Sequence, residues 1–217
     1  MKSGDQTVYR RIKRSLDLLG GLVGLIITLP VMLAIAALVR INIGRSVLFL
    51  QERPGLNGRF FTCLKFRTMN DERDQNGVLL SDQQRVVPVG RFLRQTSLDE
   101  LPQLWNIVRG DLSFIGPRPL LKEYLPYYNP EERRRHNVRP GLTGWAQIHG
   151  RNCLPFDERL ALDIWYVDHL SWYLDFRILL ATIWIVVTSK GTGAVSFPPL
   201  NEQRKSALPD CFTATKH

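Results

Sequence analysis

Residues 18–39 carry no charged side chain. The run is about 22 residues long, roughly 33 Å of helix at 1.5 Å rise per residue, enough to cross a bilayer. A cleavable signal peptide would have a shorter apolar core ending at a small-residue cleavage site, and neither feature is present. Two features favour a helix that enters the membrane and turns back. Pro30 lies just past the middle, where its ring clashes with the preceding turn and removes the bond to the Ile26 carbonyl. Both flanks are basic: Lys2, Arg10, Arg11, Lys13 and Arg14 on one side, and Arg40, Arg45, Arg53 and Arg59 on the other. Positive charge marks the cytoplasmic side, so basic flanks at both ends suit a re-entrant segment broken at Pro30. A simple spanning helix is the rival, because proline kinks also occur in spanning helices.

The rest of the 217-residue chain suffices for one domain with a real core. A formal charge of +9 and a pI near 9.8 require an anionic partner, whether nucleic acid, an acidic membrane surface or a phosphorylated substrate. Cys63, Cys153 and Cys211 are odd in number and widely spaced, which argues against a disulfide framework and fits a reducing compartment. Neither they nor the four histidines show zinc-ligand spacing.

Residues 47–52 and 59–68 read as a β-hairpin around Pro54-Gly55-Leu56-Asn57-Gly58. On the second strand Lys65 and Arg67 share one face, and Phe66 and Thr68 the other. Lys65 can therefore reach an anionic pocket while Phe66 anchors the strand. Residues 70–88 read as a polar loop with one helical turn, and 89–95 as a short helix. Residues 120–128 read as a short amphipathic helix, with another opening at Pro130, where the run Arg133-Arg134-Arg135-His136 suits a solvated face. Residues 139–151 form a glycine-punctuated loop with an arginine at each end. Helices are expected over 156–169, carrying Asp163 among aromatic neighbours, and over 171–188. In the latter Trp172, Tyr173 and Trp184 suit an interfacial position, a buried core helix being equally consistent, and Leu174, Ile178, Ala181, Ile185 and Thr188 recur near helical spacing. From Asn201 onward the tail reads as polar and mobile.

Residues 97–120 carry the chemistry. Ser97 followed three residues later by Glu100 has a capping-box pattern, with Leu98, Leu101, Leu104, Trp105 and Val108 at helical spacing. Pro102 suits a first turn, so Asp99 is an alternative N-cap. Either way Asp99 and Glu100 lie where the helix dipole keeps carboxylates ionised and attracts phosphate. Helical neighbours point about 100° apart, so one acid can face a reacting atom while the other holds a metal. Gly110-Asp111 ends the helix, and the chain leads to Pro117-Arg118-Pro119, where two prolines restrict the backbone of an arginine fork.

Asp99-Glu100, Gly116-Pro117-Arg118-Pro119, Lys65-Phe66-Arg67-Thr68-Met69 and Arg139-Pro140-Gly141-Leu142-Thr143-Gly144 together resemble the bacterial sugar transferases called monotopic phosphoglycosyl transferases, in particular the small, PglC-like members. The resemblance covers roughly residues 9 to 190, in the family's order. It implies a mainly α fold with a small β-hairpin (α+β), a compact cytoplasmic domain, a re-entrant membrane helix and interfacial amphipathic helices. The corresponding domains are residues 1–43 for the basic N-terminus and membrane helix, 44–195 for the catalytic domain and 196–217 for a polar tail.

It further implies transfer of a phospho-sugar from a UDP-sugar to polyprenol (undecaprenyl) phosphate with release of UMP, at the cytoplasmic face of the bacterial inner membrane. By the same resemblance Asp99 is the nucleophile and Glu100 the Mg²⁺ ligand. Arg118, Lys65 and Arg139 are candidates to bind the substrate phosphates, Arg67 is a further substrate-binding residue, and Arg151 and Asp163 shape the nucleotide-sugar site. The expected partners are UDP-sugar, polyprenol phosphate and inner-membrane lipid, with no nucleic acid and with homo-oligomerisation left open. One departure stands out: Leu29 precedes Pro30 where many relatives have serine, leaving Thr28 to bond a freed carbonyl. The competing class is a non-enzymatic membrane-surface adaptor binding acidic lipid or nucleic acid. It accounts for the charge and the apolar run, but not for an acidic pair followed by a clamped arginine.

Overall fold

Residues 3–42 form a single helix, α1 (Ser3–Asn42), in the computed structural model, which describes residues 3–150, 154–188 and 198–204. Pro30 lies inside α1 without ending it. Among the described residues α1 is the helix long and apolar enough to cross a membrane, and only 11% of its most apolar window is buried. The Thr28 hydroxyl donates to the Gly24 carbonyl at 2.7 Å, one turn back, so it does not take the Ile26 carbonyl as expected.

The chain divides into two compact units, Met1–Glu52 with Phe61–Phe114, and Arg53–Phe60 with Ile115–His217. In the first, α1 packs against α4 (Gln103–Arg109). Gly20, Gly21 and Gly24 present their bare backbone to Phe114, to Ile107 and Val108, and to Leu104. The Arg14 guanidinium donates to the carbonyls of Ile107 and Val108 at 2.6 and 2.8 Å, in the last turn of α4, where intrahelical donors run out; the Ile107 carbonyl also accepts the Gly110 N–H. Asp17 accepts the Phe114 N–H at 3.1 Å. Further along α1, Ile35 and Val39 form a core with Phe66 and Leu93, against which Leu98 and Leu101 also pack.

The hairpin forms from β1 (Leu48–Pro54) and β2 (Phe60–Phe66), with left-handed residues Asn57 and Gly58 at its turn. Phe66 and Thr68 are buried and Lys65 and Arg67 partly exposed, as the alternation required. The polar loop carries one helical turn, α2 (Asp82–Arg85), before α3 (Pro88–Gln95).

Sequence patterning did not anticipate a second two-stranded sheet, β3 (Ser113–Ile115) with β4 (Gly141–Thr143). The expected helix over 120–128 is a 3₁₀ stretch, Lys122–Tyr127, because Pro126 lacks the N–H an α-helix would need there. The helix α5 (Pro130–Arg133) opens on an Asn129–Glu132 capping box. It is followed by α6 (Trp145–Ile148), α7 (Phe156–Asp168), α8 (Trp172–Thr188) and α9 (Leu200–Gln203). On α8 Leu174 and Ile178 are buried while Trp172, Tyr173 and Trp184 are exposed. The start of the tail is tied down rather than mobile. Leu200 is buried with Leu120, Tyr124, Tyr128, Phe156 and Leu160, and Arg204 pairs with Glu132 at 2.7 Å and with Asp157.

Candidate active site residues

In the first unit the acidic pair lies on a single 3₁₀ turn, Leu98–Glu100, ahead of α4. The capping box expected at Ser97 does not form. Ser97 has φ 58° and ψ 16°, and its N–H bonds the Arg94 carbonyl, so it reverses the chain at the end of α3. A capping serine needs an extended backbone, which this reversal denies it. Leu98 and Leu101 pack against the core of the unit, and this fixes the turn between them. Asp99 is 9% exposed. Lys65 on β2 donates its ammonium to Glu100 Oε1 at 2.6 Å. The expected reach of Lys65 into an anionic pocket thus ends, in this structure, on the second acid of the pair.

Asn106 holds that arrangement in register, although nothing in the sequence reading singled it out. Fully buried on α4, its amide accepts the Leu64 N–H at 3.0 Å and donates to the Thr62 carbonyl at 2.7 Å, as a neighbouring strand would. It also donates to Asp111 at 3.1 Å. The one available signal was an asparagine inside the apolar run Leu104-Trp105-Asn106-Ile107-Val108. Arg67 stands two residues beyond Lys65 and pairs with Asp71 at 2.7 Å, with its Nε buried and unpartnered.

The second unit joins the two remaining motifs through glycine backbone. The Gly116 N–H donates to the Thr143 carbonyl and the Gly141 N–H to the Pro117 carbonyl, each at 2.9 Å. A Cβ on Gly141 would lie 2.1 Å from the Gly116 nitrogen, and one on Gly116 would lie 2.4 Å from the Arg139 carbonyl oxygen. Only glycine permits this approach, which brings together the segment after β3 that carries Arg118 and the segment before β4 that carries Arg139.

Asp163, expected at the nucleotide-sugar site, is 1% exposed and accepts from Arg135 at 2.6 and 3.1 Å. Arg135, read from sequence as part of a solvated basic face, is buried. The same guanidinium donates to the Arg118 carbonyl at 2.7 Å and to the Tyr128 hydroxyl at 3.3 Å. Burial opposes its charge, but Asp163 and Tyr128 together hold Arg135 above the ordinary guanidinium range. Asp163 therefore touches the Arg118 loop through Arg135. The neighbouring His136 is pushed down from 6.5 to about 4 by burial and by the Arg135 charge. Arg151 lies outside the described residues.

Residues 8–189 match the profile of the bacterial sugar transferase family. The chain is 51% identical over 180 residues to the uncharacterized sugar transferase EpsL of Bacillus subtilis (strain 168), covering 83% of this chain and 89% of that one. It is 41% identical over 199 residues to the exopolysaccharide production protein ExoY of Rhizobium meliloti (strain 1021), covering 83% and 87%. It is 36% identical over 192 residues to the UDP-N-acetylgalactosamine-undecaprenyl-phosphate N-acetylgalactosaminephosphotransferase of Aeromonas hydrophila, covering 85% of this chain and 45% of that protein.

Proposed function

This chain belongs to the bacterial sugar transferase family, and we propose that it transfers a sugar 1-phosphate from a UDP-sugar to undecaprenyl phosphate at the membrane. The name of the Aeromonas hydrophila relative states that reaction class for an N-acetylgalactosamine donor, and the name of ExoY states a part in exopolysaccharide production for that protein. The observation that carries the reading is the acidic pair itself. Asp99 is nearly buried on a turn whose next residue, Glu100, is held by the Lys65 ammonium.

In the proposed ping-pong cycle a carboxylate oxygen of Asp99 attacks the phosphorus bearing the sugar. The bond from that phosphorus to the UMP oxygen breaks and UMP leaves. An oxygen of the lipid phosphate then attacks the aspartyl phospho-sugar, releasing the carboxylate and forming the lipid diphospho-sugar. Lys65, Arg67, Arg118 and Arg139 are assigned to substrate phosphates, and Arg151 to the nucleotide-sugar. Asp163 acts by holding Arg135 on the Arg118 loop.

The donor set fits Mg²⁺. Among the described residues no cluster of three or more His, Cys, Asp or Glu could cage a metal, while Glu100 already holds a cation beside a second carboxylate. Mg²⁺ characteristically binds one or two carboxylates and completes its shell with water and substrate phosphates. Bound at Glu100, it would offset the charge of the diphosphate.

Re-entry of α1 is part of the same proposal. Arg14 near one end of the apolar run and Ile35 and Val39 near the other all pack onto the first unit. A helix crossing the membrane would carry those two ends to opposite faces.

The test is intact mass spectrometry with UDP-sugar alone. Wild type should gain a phospho-sugar adduct and release UMP, and Asp99→Asn should do neither while remaining folded. A fully active Asn variant removes the nucleophile assignment.

A further inference from the structure

Arg159 sits in the first turn of α7, one turn before Asp163. Its guanidinium lies 4.7 Å over the Phe156 ring and donates to the Leu154 carbonyl at 3.1 Å, while its Nε is buried with no partner. Among the described residues it takes part in no ion pair. The carboxylate one turn on is already committed, since Asp163 Oδ2 accepts twice from Arg135, and Arg135 in turn holds the Arg118 carbonyl. Arg135 therefore sits on both Asp163 and the Arg118 backbone, and the charges of Asp163, Arg118 and Arg135 all reach Arg159. Burial holds Arg159 below the ordinary guanidinium range; Asp163 opposes that shift, while the Arg118 and Arg135 charges reinforce it.

Positive charge partly withdrawn from water is stabilised by an anion that enters and accepts hydrogen bonds, and the planar fork of arginine matches phosphate oxygens. We propose that Arg159, together with Arg118, forms a phosphate seat in the second unit, and that Arg159 is a substrate-binding residue of this enzyme. The assignment rests on the proposed function, in which the anions on offer are the diphosphate of the UDP-sugar and the phosphate of the lipid acceptor. Both present the same chemistry to a guanidinium.

The two sources separate kinetically because the cycle has two halves. The variants are Arg159→Gln, which keeps a donor for the Leu154 carbonyl but loses the charge, and Arg159→Lys, which keeps the charge but loses the fork. In the Gln variant the KM of one substrate is expected to rise roughly ten- to a hundredfold with kcat little changed, the weight of a charge-assisted hydrogen bond. Slow adduct formation at limiting UDP-sugar without lipid assigns the seat to the donor. Normal adduct formation with a raised KM for the lipid phosphate assigns it to the acceptor.

Arg159→Lys is expected to raise the same KM about three- to tenfold, since a point charge replaces a bidentate fork. It is the deciding variant if the Gln protein does not fold. If both KM values stay within about twofold of wild type in a folded variant, Arg159 only ties the start of α7, and the proposal is overturned. Absence of UMP release by wild type would instead sink the proposed function, so the two failures are distinguishable.

Discussion

The Nζ of Lys65 lies 2.6 Å from Oε1 of Glu100, both side chains being largely withdrawn from water. Two residues 35 positions apart in sequence thus place an ammonium on the carboxylate assigned to the metal. Lys65→Gln removes a competitor for Glu100 and a cation for the diphosphate at the same time. The variant is expected to need less Mg²⁺ for half-maximal activity while its KM for UDP-sugar rises about tenfold or more, the weight of one charged hydrogen bond. Steady-state kinetics over a Mg²⁺ series measures both, and an increased Mg²⁺ requirement would show that Lys65 assists metal binding instead.

Asn106 makes the Lys65–Glu100 meeting possible by bonding the open edge of β2. Asn106→Leu keeps the volume but leaves the partly buried Leu64 N–H and the Thr62 carbonyl without this partner. A loss of about 2–5 kcal/mol is expected from those two groups. Urea unfolding measures it, and a change below about 0.5 kcal/mol, ordinary for a surface position, would contradict the role.

The Arg135–Asp163 pair predicts strong non-additivity. Asp163→Asn leaves a guanidinium buried without its counter-charge, a change that typically costs about 3–5 kcal/mol. Adding Arg135→Met removes the stranded charge, so the double variant is expected to be more stable than the sum of the single losses requires. A double-mutant cycle by denaturant unfolding tests this, and strictly additive losses would mean that the pair is not coupled.

His136 ties stability to pH. Its folded value of about 4 lies below the ordinary 6.5, because burial disfavours the imidazolium and Arg135 repels it, with Arg133 adding a smaller effect and a Gly55 backbone hydrogen bond opposing. The unfolded chain therefore takes up the proton first as pH falls. Stability present above pH 6.5 drains away between about 6.5 and about 4, by an amount on the order of 3 kcal/mol. His136→Leu is expected to flatten that limb, read as urea midpoints across the pH range. An unchanged slope in the variant would place the acid sensitivity elsewhere.

What the sequence revealed and concealed follows from the range of the interactions involved. The apolar run of α1, the hairpin and the faces of α8 were legible because each is a local pattern repeated over many residues. Arg135 and Asn106 were not, because their partners, Asp163 on one side and Thr62 and Leu64 on the other, lie far along the chain. Arg135 sat in a run too short and too uniformly basic for periodicity to show which member turns inward. The Ser97 capping pattern failed for a related reason: the reversal after α3 demanded a left-handed backbone at that residue, and this overrode its local preference. At the candidate site the sequence offered candidate residues but not the hydrogen bonds that orient them, such as those of Asn106 and Arg135.

The last prediction concerns which side of the membrane each end of α1 faces. Arg14 caps the α4 carbonyls and Gly21 packs on Ile107, while Ile35 and Val39 are buried against Phe66 and Leu93. A straight helix places Arg14 and Val39 roughly 37 Å apart at 1.5 Å per residue, more than a hydrocarbon core about 30 Å thick. Both ends nevertheless dock on the unit that carries Asp99. A spanning orientation would have to strip one set of these contacts and leave the Arg14 guanidinium without its acceptors. Basic residues flank both ends, and positive charge favours the cytoplasmic side, so the proposed re-entry expects both ends there. Single cysteines at positions 2 and 45, in a background with Cys63, Cys153 and Cys211 replaced by alanine, are therefore both expected to resist an impermeant thiol reagent in intact cells and to react after lysis. Replacing Leu29 and Pro30 by Ala and Leu restores the missing backbone bond and favours a helix that crosses, so labelling of position 2 from outside is expected to rise in that variant. External labelling of position 2 in the otherwise native protein, with position 45 protected, would mean that α1 spans the bilayer and that the docking of its two ends does not hold in the membrane.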